Sequence, residues 1–274
     1  MNRVFILGDI HGQFQPIRNF QVYMNSTYDE TKKLDKSDTL ILLGDFGANF
    51  FFNHRDIEFK SKLGQYNLTY FVIRGNHEER PSNCYRKDPD KWRLEEYFGG
   101  SVYVEKNYPY IKYAADMPFQ YNIHGHTVLT IPGAYSVDKY HRLQNNWSWF
   151  SEEQLSEQEM DIGRMMIKAC PQWDIVLSHT CPVIYEPTDL FLGAVDQSMV
   201  DKTMERYLGE IENNIDYKVW LWGHYHSTRI YPTVDNRDKI MLFDNIVFDL
   251  DKYFETNNPY TALINFHRKP GDIV

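Results

Sequence analysis

A short apolar run that ends in polar, metal-competent side chains recurs five times along this chain. The first run is Val4–Leu7, and Gly8, Asp9, Ile10 and His11 follow it. Consecutive apolar residues of this kind are typical of a buried strand, and a glycine allows the chain to turn sharply where the strand ends. The turn carries a carboxylate and an imidazole at alternate positions. A single Asp-x-His turn can arise by chance, so its weight depends on the other runs.

The later runs repeat this arrangement. They span residues 38–45, 68–78, 173–179 and 217–226, and each ends in Asp, Asn or His side chains. Apolar residues at helical spacing predict helices between and after the runs, over residues 14–25, 56–63, 151–169 and 198–211. Strands that alternate with helices predict βαβ units and a largely parallel sheet core, so the fold class is α/β.

Local signals predict the remaining segments. Polar composition and two prolines predict a surface loop over residues 80–92, which leads into a short helix that ends near Phe98. Residues 102–131 have the pattern of a β-meander, in which His124-Gly125-His126 is a hairpin turn rather than a metal site. Residues 133–150 are irregular in pattern.

Two further boundaries come from capping and strand signals. Ser151 is predicted to begin the third helix, because Ser-x-x-Gln has the form of a capping box. The C-terminal part predicts short antiparallel strands at residues 229–232, 240–243, 246–250 and 261–266. No stretch has the composition of a linker, so we expect a single domain over residues 1–274.

The polar ends of the runs form one candidate site, because ligands bind at the carboxyl ends of parallel strands. Each side chain alone could instead bond loop backbone, but five of the ten histidines fall within these clusters, which favours a shared role. The predicted metal ligands are Asp9, His11, Asp45, Asn76, His179, His224 and His226.

The chemistry of this set is coherent. It offers oxygen and imidazole nitrogen without thiolate, which suits Mn, Fe or Zn. Seven ligands exceed what one ion with an open position needs, and they match two divalent ions that share a bridging ligand. Two such ions roughly 3.5–4 Å apart can clamp a phosphoryl group and generate hydroxide near neutral pH.

Composition narrows the class and the location. The formal net charge of −9 argues against non-specific binding of long nucleic acids, which depends on clustered Lys and Arg, but leaves nucleotides open. The three cysteines are widely spaced and form no disulfide framework or CxxC site, which favours a reducing cytoplasm. No apolar stretch has the length of a signal peptide core or a membrane span, so a soluble cytoplasmic protein without a membrane partner is expected.

The motifs GDIHGQ, GDFG, RGNHE, a distal SH and GHYH, in this order, resemble the calcineurin-like metallophosphoesterase superfamily. They span positions 8 to 226 and are highly specific as a set. GDIHGQ and RGNHE are similar to protein Ser/Thr phosphatases and diadenosine tetraphosphate hydrolases. The stretch from IPGAYSVDK to WFSEEQLSEQE is similar to bacterial and phage metallophosphoesterases of undefined substrate.

The resemblance implies a four-layer α/β/β/α sandwich of two mixed β-sheets, with two divalent ions, Mn first among Mn, Fe and Zn, at the strand ends. It implies that Asp9, His11 and His226 hold the first ion. It implies that Asn76, His179 and His224 hold the second, with Asp45 bridging the two. His77 would then be a non-ligand imidazole that contacts phosphate or protonates the leaving oxygen, and Asn76 would also contact substrate.

One departure concerns the second motif, which in this superfamily usually runs GDxxD, with Arg following in the protein phosphatases. Ala48 stands where the second Asp would orient the catalytic histidine, and Asn49 stands at the position of the Arg. Either another acid, Glu78 or Asp138, orients His77, or His77 acts without one. Arg74, Arg80 or Arg142 would supply the phosphate contact; we name Arg74 and Arg142 as substrate-binding residues.

The leading hypothesis is a dinuclear metal-dependent phosphoesterase that hydrolyses phosphate monoesters, of the phosphoprotein or nucleotide type, by attack of metal-bound hydroxide, with His77 and Asp45 as catalytic residues. A phosphodiesterase or nuclease-type activity on small nucleotide diesters is the alternative, because loss of the Arg favours substrates that need less charge neutralisation. A non-catalytic metal-binding scaffold is a third hypothesis.

Overall fold

The computed structural model of the protein describes residues 2–27, 33–193, 195–233 and 235–266. Among these residues the strands are β1 (Val4–Leu7), β2 (Thr39–Leu42), β3 (Thr69–Val72), β4 (Trp92–Tyr97), β5 (Gly100–Glu105), β6 (Ile111–Tyr113), β7 (Phe119–Ile123), β8 (His126–Ile131), β9 (Ile175–Ser178), β10 (Val219–Trp222), β11 (Arg229–Ile230), β12 (Asp238–Met241), β13 (Ile246–Asp249) and β14 (Leu263–Asn265). The α-helices are α1 (Gln15–Thr27), α2 (His54–Leu63), α3 (Pro81–Lys87), α4 (Lys139–Gln144), α5 (Glu157–Ala169), α6 (Thr203–Glu212), α7 (Leu250–Thr256) and α8 (Pro259–Ala262).

The strands form two mixed sheets. The first has the order β14-β13-β1-β2-β3-β6-β5-β4, in which β1, β2, β3 and β6 are parallel. The second has the order β11-β12-β10-β9-β8-β7, in which β12, β10, β9 and β8 are parallel. This arrangement confirms the predicted α/β class with two mixed sheets.

Three apolar clusters separate four layers. Residues of both sheets, among them Ile6 and Ile41 from the first and Leu177 and Leu221 from the second, share one buried cluster between the sheets. The outer face of the first sheet packs on α1 and α2, and the outer face of the second packs on α5 and α6. This order of helix, sheet, sheet and helix is the predicted four-layer sandwich. No helix in the described ranges has both the length and the apolar character needed to cross a membrane.

The prediction for residues 80–98 was wrong in two places. The expected surface loop contains α3, which begins with Pro81 at its first turn and buries Cys84. The expected helix up to Phe98 is strand β4, which pairs antiparallel with β5 along its whole length. Phe98 and Gly99 turn the chain between them with φ of 52° and 68°. Pairing with β5 therefore overrides the local preference of the segment.

The third helix begins later than predicted. Its cap is Ser156, whose side chain accepts from the backbone N–H of Glu159 while the Glu159 carboxylate accepts from the backbone N–H of Ser156. The sequence offers two successive capping boxes, at Ser151 and at Ser156, and the first is not used. The intervening carbonyls of residues 152 and 154 instead accept hydrogen bonds from the buried Arg80. Tertiary bonding to one arginine thus decides between the two starts.

Smaller differences occur in the second half of the chain. The helix expected from residue 198 begins at Thr203, after Asp201 accepts from the Thr203 backbone N–H. The irregular segment 133–150 contains α4, and α7 follows β13 without having been predicted. The strands of the predicted meander are divided between the two sheets. The strand β12 was predicted to be antiparallel to its neighbours, but it is antiparallel only to β11 and is parallel to β10. The hairpin turn at His124 and Gly125 is confirmed, because β7 and β8 pair antiparallel on either side of it, with Ile123 opposite His126.

Candidate metal centre

The loops after β1, β2, β3, β9 and β10 meet where the two sheets adjoin. The backbone N–H of His224, after β10, donates to both carboxylate oxygens of Asp9, after β1, at 3.0 Å. His179 Nδ1, after β9, lies 2.6 Å from the carbonyl oxygen of Leu43, after β2. Because a carbonyl oxygen only accepts, this nitrogen carries the proton and leaves Nε2 of His179 as the free ligand atom.

The predicted ligands fall into two groups. Asp9, His11 and His226 offer donor atoms that all lie within 4.8 Å of one another. In the second group, His179 Nε2 lies 2.9 Å from Asn76 Oδ1 and 3.3 Å from His224 Nδ1. The two groups adjoin, because donor atoms of Asp9 and His179 also lie within 4.8 Å of one another, together with one of Asp45.

Asp45 lies between the two groups. Its Oδ2 is 3.9 Å from His11 Nε2, and its Oδ1 is 3.5 Å from His179 Nε2. Each carboxylate oxygen therefore faces one group, which is the arrangement that a bridging ligand requires. Asp45 Oδ1 also accepts from the backbone N–H of His77 at 2.9 Å, which fixes the orientation of the carboxylate.

The charges and protonation states of these residues fit divalent cations. Asp9 is fully buried, and burial together with the charge of Asp45 raises its pKa. A cation between the carboxylates would remove this repulsion. Burial lowers the pKa of both His179 and His224, so that these imidazoles are neutral at neutral pH, which is the form that binds metal. The Nε2 atoms of His11 and His226 face each other at 2.8 Å, with their ligand positions turned to one point.

Glycines at the strand ends leave room for these side chains. A Cβ atom on Gly75 would lie 2.2 Å from Asp45 Oδ1, and a Cβ on Gly223 would lie 2.2 Å from Asp9 Oδ1. Neither distance is compatible with a side chain. The glycine in each of these two motifs therefore admits a carboxylate from another strand, in addition to any role in the turn.

Positive φ angles occur at several of the candidate ligands, as they do at eight other non-glycine residues of the described ranges. A positive φ is uncommon for residues other than glycine, and such conformations cost on the order of 1–3 kcal/mol each at functional sites. Four of the predicted ligands have it: His11 at 46°, Asp45 at 45°, His224 at 70° and His226 at 50°. The fold thus holds the donors in conformations that the local chain does not favour.

Arg142 lies against His77. Its Nη2 is 2.7 Å from His77 Nδ1 and 2.5 Å from Nε2, and its Nε donates to Asp138 at 2.7 Å. Burial lowers the pKa of His77 to about 4. The negative charge of Asp45 opposes this shift, and the positive charge of Arg142 adds to it. His77 is therefore neutral at neutral pH, and Asp138 accepts its hydrogen bond from the guanidinium of Arg142 rather than from the imidazole.

The substituted positions of the second motif have structural roles. Ala48 is part of the apolar core, and Asn49 Oδ1 accepts from Lys60 Nζ at 2.8 Å. Glu78, one candidate for the missing acid, accepts from the backbone N–H groups of Gly47 and Gly75 at 3.0 and 3.3 Å. Burial and the charge of Asp45 raise the pKa of Glu78 to about 8. Its bonds go to backbone rather than to His77.

The structure separates Arg74 and Arg80 from Arg142. Arg74 is 2% exposed, and its guanidinium donates to two backbone carbonyls and lies 3.6 Å from Asp116. Arg80 pairs with Glu159 and donates to carbonyls of the segment before α5. Both are structural cations, which corrects the expectation that Arg74 contacts phosphate. Among the three arginines, Arg142 is the one that reaches His77.

Two contributors were not predicted. Asn76 Nδ2 donates to Ser136 Oγ at 2.9 Å, and Ser136 Oγ donates to Glu153, so that the amide oxygen of Asn76 is turned towards His179. Phe50 stacks on His77 with ring centroids 6.0 Å apart. The run of three phenylalanines at residues 50–52 is a sequence signal for an aromatic wall, whereas nothing local indicates the role of Ser136.

Several solved structures are similar to this chain. The protein TT1561 of Thermus thermophilus has a solved structure that matches with a TM-score of 0.50 at 12% identity, over 91% of this chain and 95% of that one. A dimetal phosphatase from Danio rerio matches with a TM-score of 0.47 at 9% identity, over 91% and 92% of the two chains. The phosphopantetheinyl hydrolase of Mycobacterium tuberculosis matches with a TM-score of 0.45 at 12% identity, over 100% and 98%. No curated protein matches the chain.

At such identities the structural likeness concerns the fold alone. The fold and its buried donor groups define a metal-binding α/β sandwich. A family model, that of the calcineurin-like phosphoesterases, matches residues 2–228. The chain belongs to this family, whose members are metal-dependent hydrolases of phosphoester bonds.

Proposed function

We propose that the chain binds two divalent cations and hydrolyses phosphate monoesters. Asp9, His11 and His226 would hold the first cation, and the second group, Asn76, His179 and His224, would hold the other. The observation that carries the proposal is that each oxygen of Asp45 faces one of the two donor groups. When bound, the two cations supply neutralisation of the phosphoryl oxygens and a nucleophilic water near neutral pH.

The protein's own residues would position the phosphate. A neutral His77 carries one N–H, which can donate to a phosphoryl oxygen or to the ester oxygen as its bond breaks. Its pKa of about 4 argues for hydrogen bonding rather than proton donation from an imidazolium. Arg142, 4% exposed and held by Asp138, adds a fixed positive charge beside it.

Arg142 also supports monoesters over diesters. A phosphate monoester carries more negative charge than a diester, and the motif position that usually supplies an arginine is occupied by Asn49. A cation from α4 compensates for that change. Phosphorylated small molecules, nucleotides or phosphoproteins are the substrate class, and Mn is the first cation to test, with Fe and Zn next. The free thiols of Cys84, Cys170 and Cys181 support a reducing, cytoplasmic location.

Hydrolysis of p-nitrophenyl phosphate and bis(p-nitrophenyl) phosphate by the Mn²⁺-loaded protein tests the proposal. We expect a higher kcat/KM on the monoester. His77→Ala should lower kcat about 100-fold or more while metal content is retained. His126→Ala, at the distant hairpin, is the matched control and should leave both rates unchanged. Cleavage of neither ester would refute the proposed activity, and a higher kcat/KM on the bis-ester would assign the diesterase alternative.

A further inference from the structure

A cavity of about 290 Å³ opens beside His224 and His226. Its walls come from the segment around Tyr135 and from residues within 186–192 and 195–205, and Tyr225, between the two histidines, forms part of them. Nothing in the metal chemistry requires this space. Because it begins at two of the proposed ligands, it is positioned to receive the organic part of an ester whose phosphate lies at the metal centre.

The cavity wall is aromatic and apolar. The rings of Phe191 and Tyr225 are near parallel, at 25°, with centroids 6.5 Å apart. Leu190 and Leu192 also line the cavity and are 39% and 64% exposed. Apolar side chains exposed around a cavity mark binding sites, in which a few polar groups then fix orientation.

The charges of the wall disfavour a second anion. Within the described part of the lining, Lys202 is the one Lys or Arg side chain, and it pairs with Glu186 while its ammonium lies 4.6 Å from the centre of the Phe191 ring. Asp201 and Glu205 add two further carboxyl groups. No cation in this lining is therefore left to neutralise a charged group on the ligand.

One polar atom of the wall lacks a partner. Glu205 is 3% exposed, and its Oε1 accepts from Thr180, but its Oε2 has no hydrogen bond within the described residues. An unpaired buried carboxyl oxygen costs free energy, which a hydroxyl group of a ligand, able to donate or to accept, would offset. The cavity thus combines a stacking surface with a carboxyl group that can form a hydrogen bond to the ligand.

We propose that this cavity binds the organic group of the substrate and that this group is an uncharged aromatic unit carrying hydrogen-bond donors, as a nucleoside does. The assignment deepens the proposed phosphoesterase function and rests on it. A phosphorylated leaving group and a carboxylate-bearing aryl group are charged, and an aliphatic polyol has no aromatic ring. None of the three therefore meets the requirements of this cavity. Phe191 would be the main determinant of specificity.

Four phosphate esters of primary alcohols test this: adenosine 5′-monophosphate, benzyl phosphate, 4-carboxybenzyl phosphate and glycerol 1-phosphate. Their reacting bonds are alike, so differences in kcat/KM report on the organic group. We expect adenosine 5′-monophosphate to exceed glycerol 1-phosphate at least ten-fold, and benzyl phosphate to exceed its carboxylated analogue. Aromatic stacking on a base is worth about ten-fold or more in binding, so Phe191→Ala should reduce the first ratio about ten-fold. Ile184→Ala is the control, because Ile184 lies seven residues before Phe191, is 68% exposed and is outside the cavity lining.

Binding of adenosine and glycerol to the full metal-loaded chain, by equilibrium dialysis, separates this inference from the proposed activity, because neither alcohol is an ester. Adenosine binding that weakens about ten-fold in Phe191→Ala, but not in Ile184→Ala, supports the assignment even if no ester is cleaved. Binding of adenosine no tighter than that of glycerol, or binding indifferent to Phe191, would overturn the assignment even if all the esters are hydrolysed.

Discussion

Arg142 Nη2 lies 2.7 Å from His77 Nδ1, beside the proposed metal centre. The superfamily that the motifs resemble usually places a carboxylate at this histidine, from the position that Ala48 occupies here. A carboxylate stabilises the protonated imidazole, whereas a guanidinium stabilises the neutral one. Having Arg142 rather than a carboxylate beside His77 therefore changes the charge of the two side chains that face the substrate. It also adds a cation where a phosphate dianion would bind.

Arg142→Ala should lower kcat/KM for p-nitrophenyl phosphate about 10- to 100-fold, since hydrogen bonds to charged groups contribute roughly 1.5–3 kcal/mol. The loss should be smaller for the bis-ester, which carries less charge. Arg142→Lys keeps the charge but loses the planar fork, and we expect it to recover only part of the rate. Arg86→Ala, on α3, is the control. Equal losses on both esters would show that Arg142 acts by supporting the fold rather than by binding phosphate.

Gly223→Ala should abolish metal binding. The new methyl group would lie 2.2 Å from Asp9 Oδ1, so the carboxylate would have to leave the ligand position. Gly193→Ala introduces the same atom at a position where, chain neighbours aside, no atom of the described residues lies within 4 Å, and this variant should bind metal as the wild type does. Elemental analysis after dialysis measures both. A Gly223→Ala protein that retains its full metal content would exclude Asp9 as a ligand.

Glu205 should make the protein less stable as pH rises. Burial raises the pKa of its carboxyl group to about 7 from an ordinary value of 4.5. A carboxyl group whose pKa is raised by folding favours the folded state fully below pH 4.5, and this contribution is lost as pH rises through about 7. The expected loss is up to about 3 kcal/mol, from about 1.4 kcal/mol per pKa unit.

Glu205→Gln removes this dependence. Urea unfolding at pH 5 and pH 8, at constant metal concentration, should show the variant more stable than the wild type at pH 8 by about 1–3 kcal/mol, with a smaller difference at pH 5. The comparison with wild type cancels the titration of the other buried acids. A difference that is the same at both pH values would mean that Glu205 is ionised in the folded protein across this range.

The sequence predicts the centre of the fold well because the signal is local. Each buried strand is a short apolar run, and the residue after it is carried to the same sheet edge by the parallel topology. The donors at Asp9, Asp45 and His179 follow from this regularity alone. The motifs, together with this regularity, are sufficient to predict the two donor groups and the position of Asp45 between them.

What the sequence did not predict depends on contacts between distant segments. Arg80 selects Ser156 over Ser151 as the helix cap, because its guanidinium binds the carbonyls between them. Ser136 orients Asn76 although the two residues are 60 positions apart in the sequence. No local sequence pattern predicts this contact. Arg74 and Arg142 have the same chemistry in the sequence, and both are buried in the structure. They differ in their partners, because Arg74 lies against Asp116 and two backbone carbonyls whereas Arg142 lies against His77.

The number of divalent ions bound per chain tests the central claim most directly. Elemental analysis of the protein after loading with Mn²⁺ and removal of excess ion should give about two ions per chain for the wild type. Asp45→Ala, which removes the proposed bridge, should give fewer, and His124→Ala, at the hairpin, should match the wild type. A wild-type protein that binds a single ion, or none, would contradict a dinuclear centre at these strand ends.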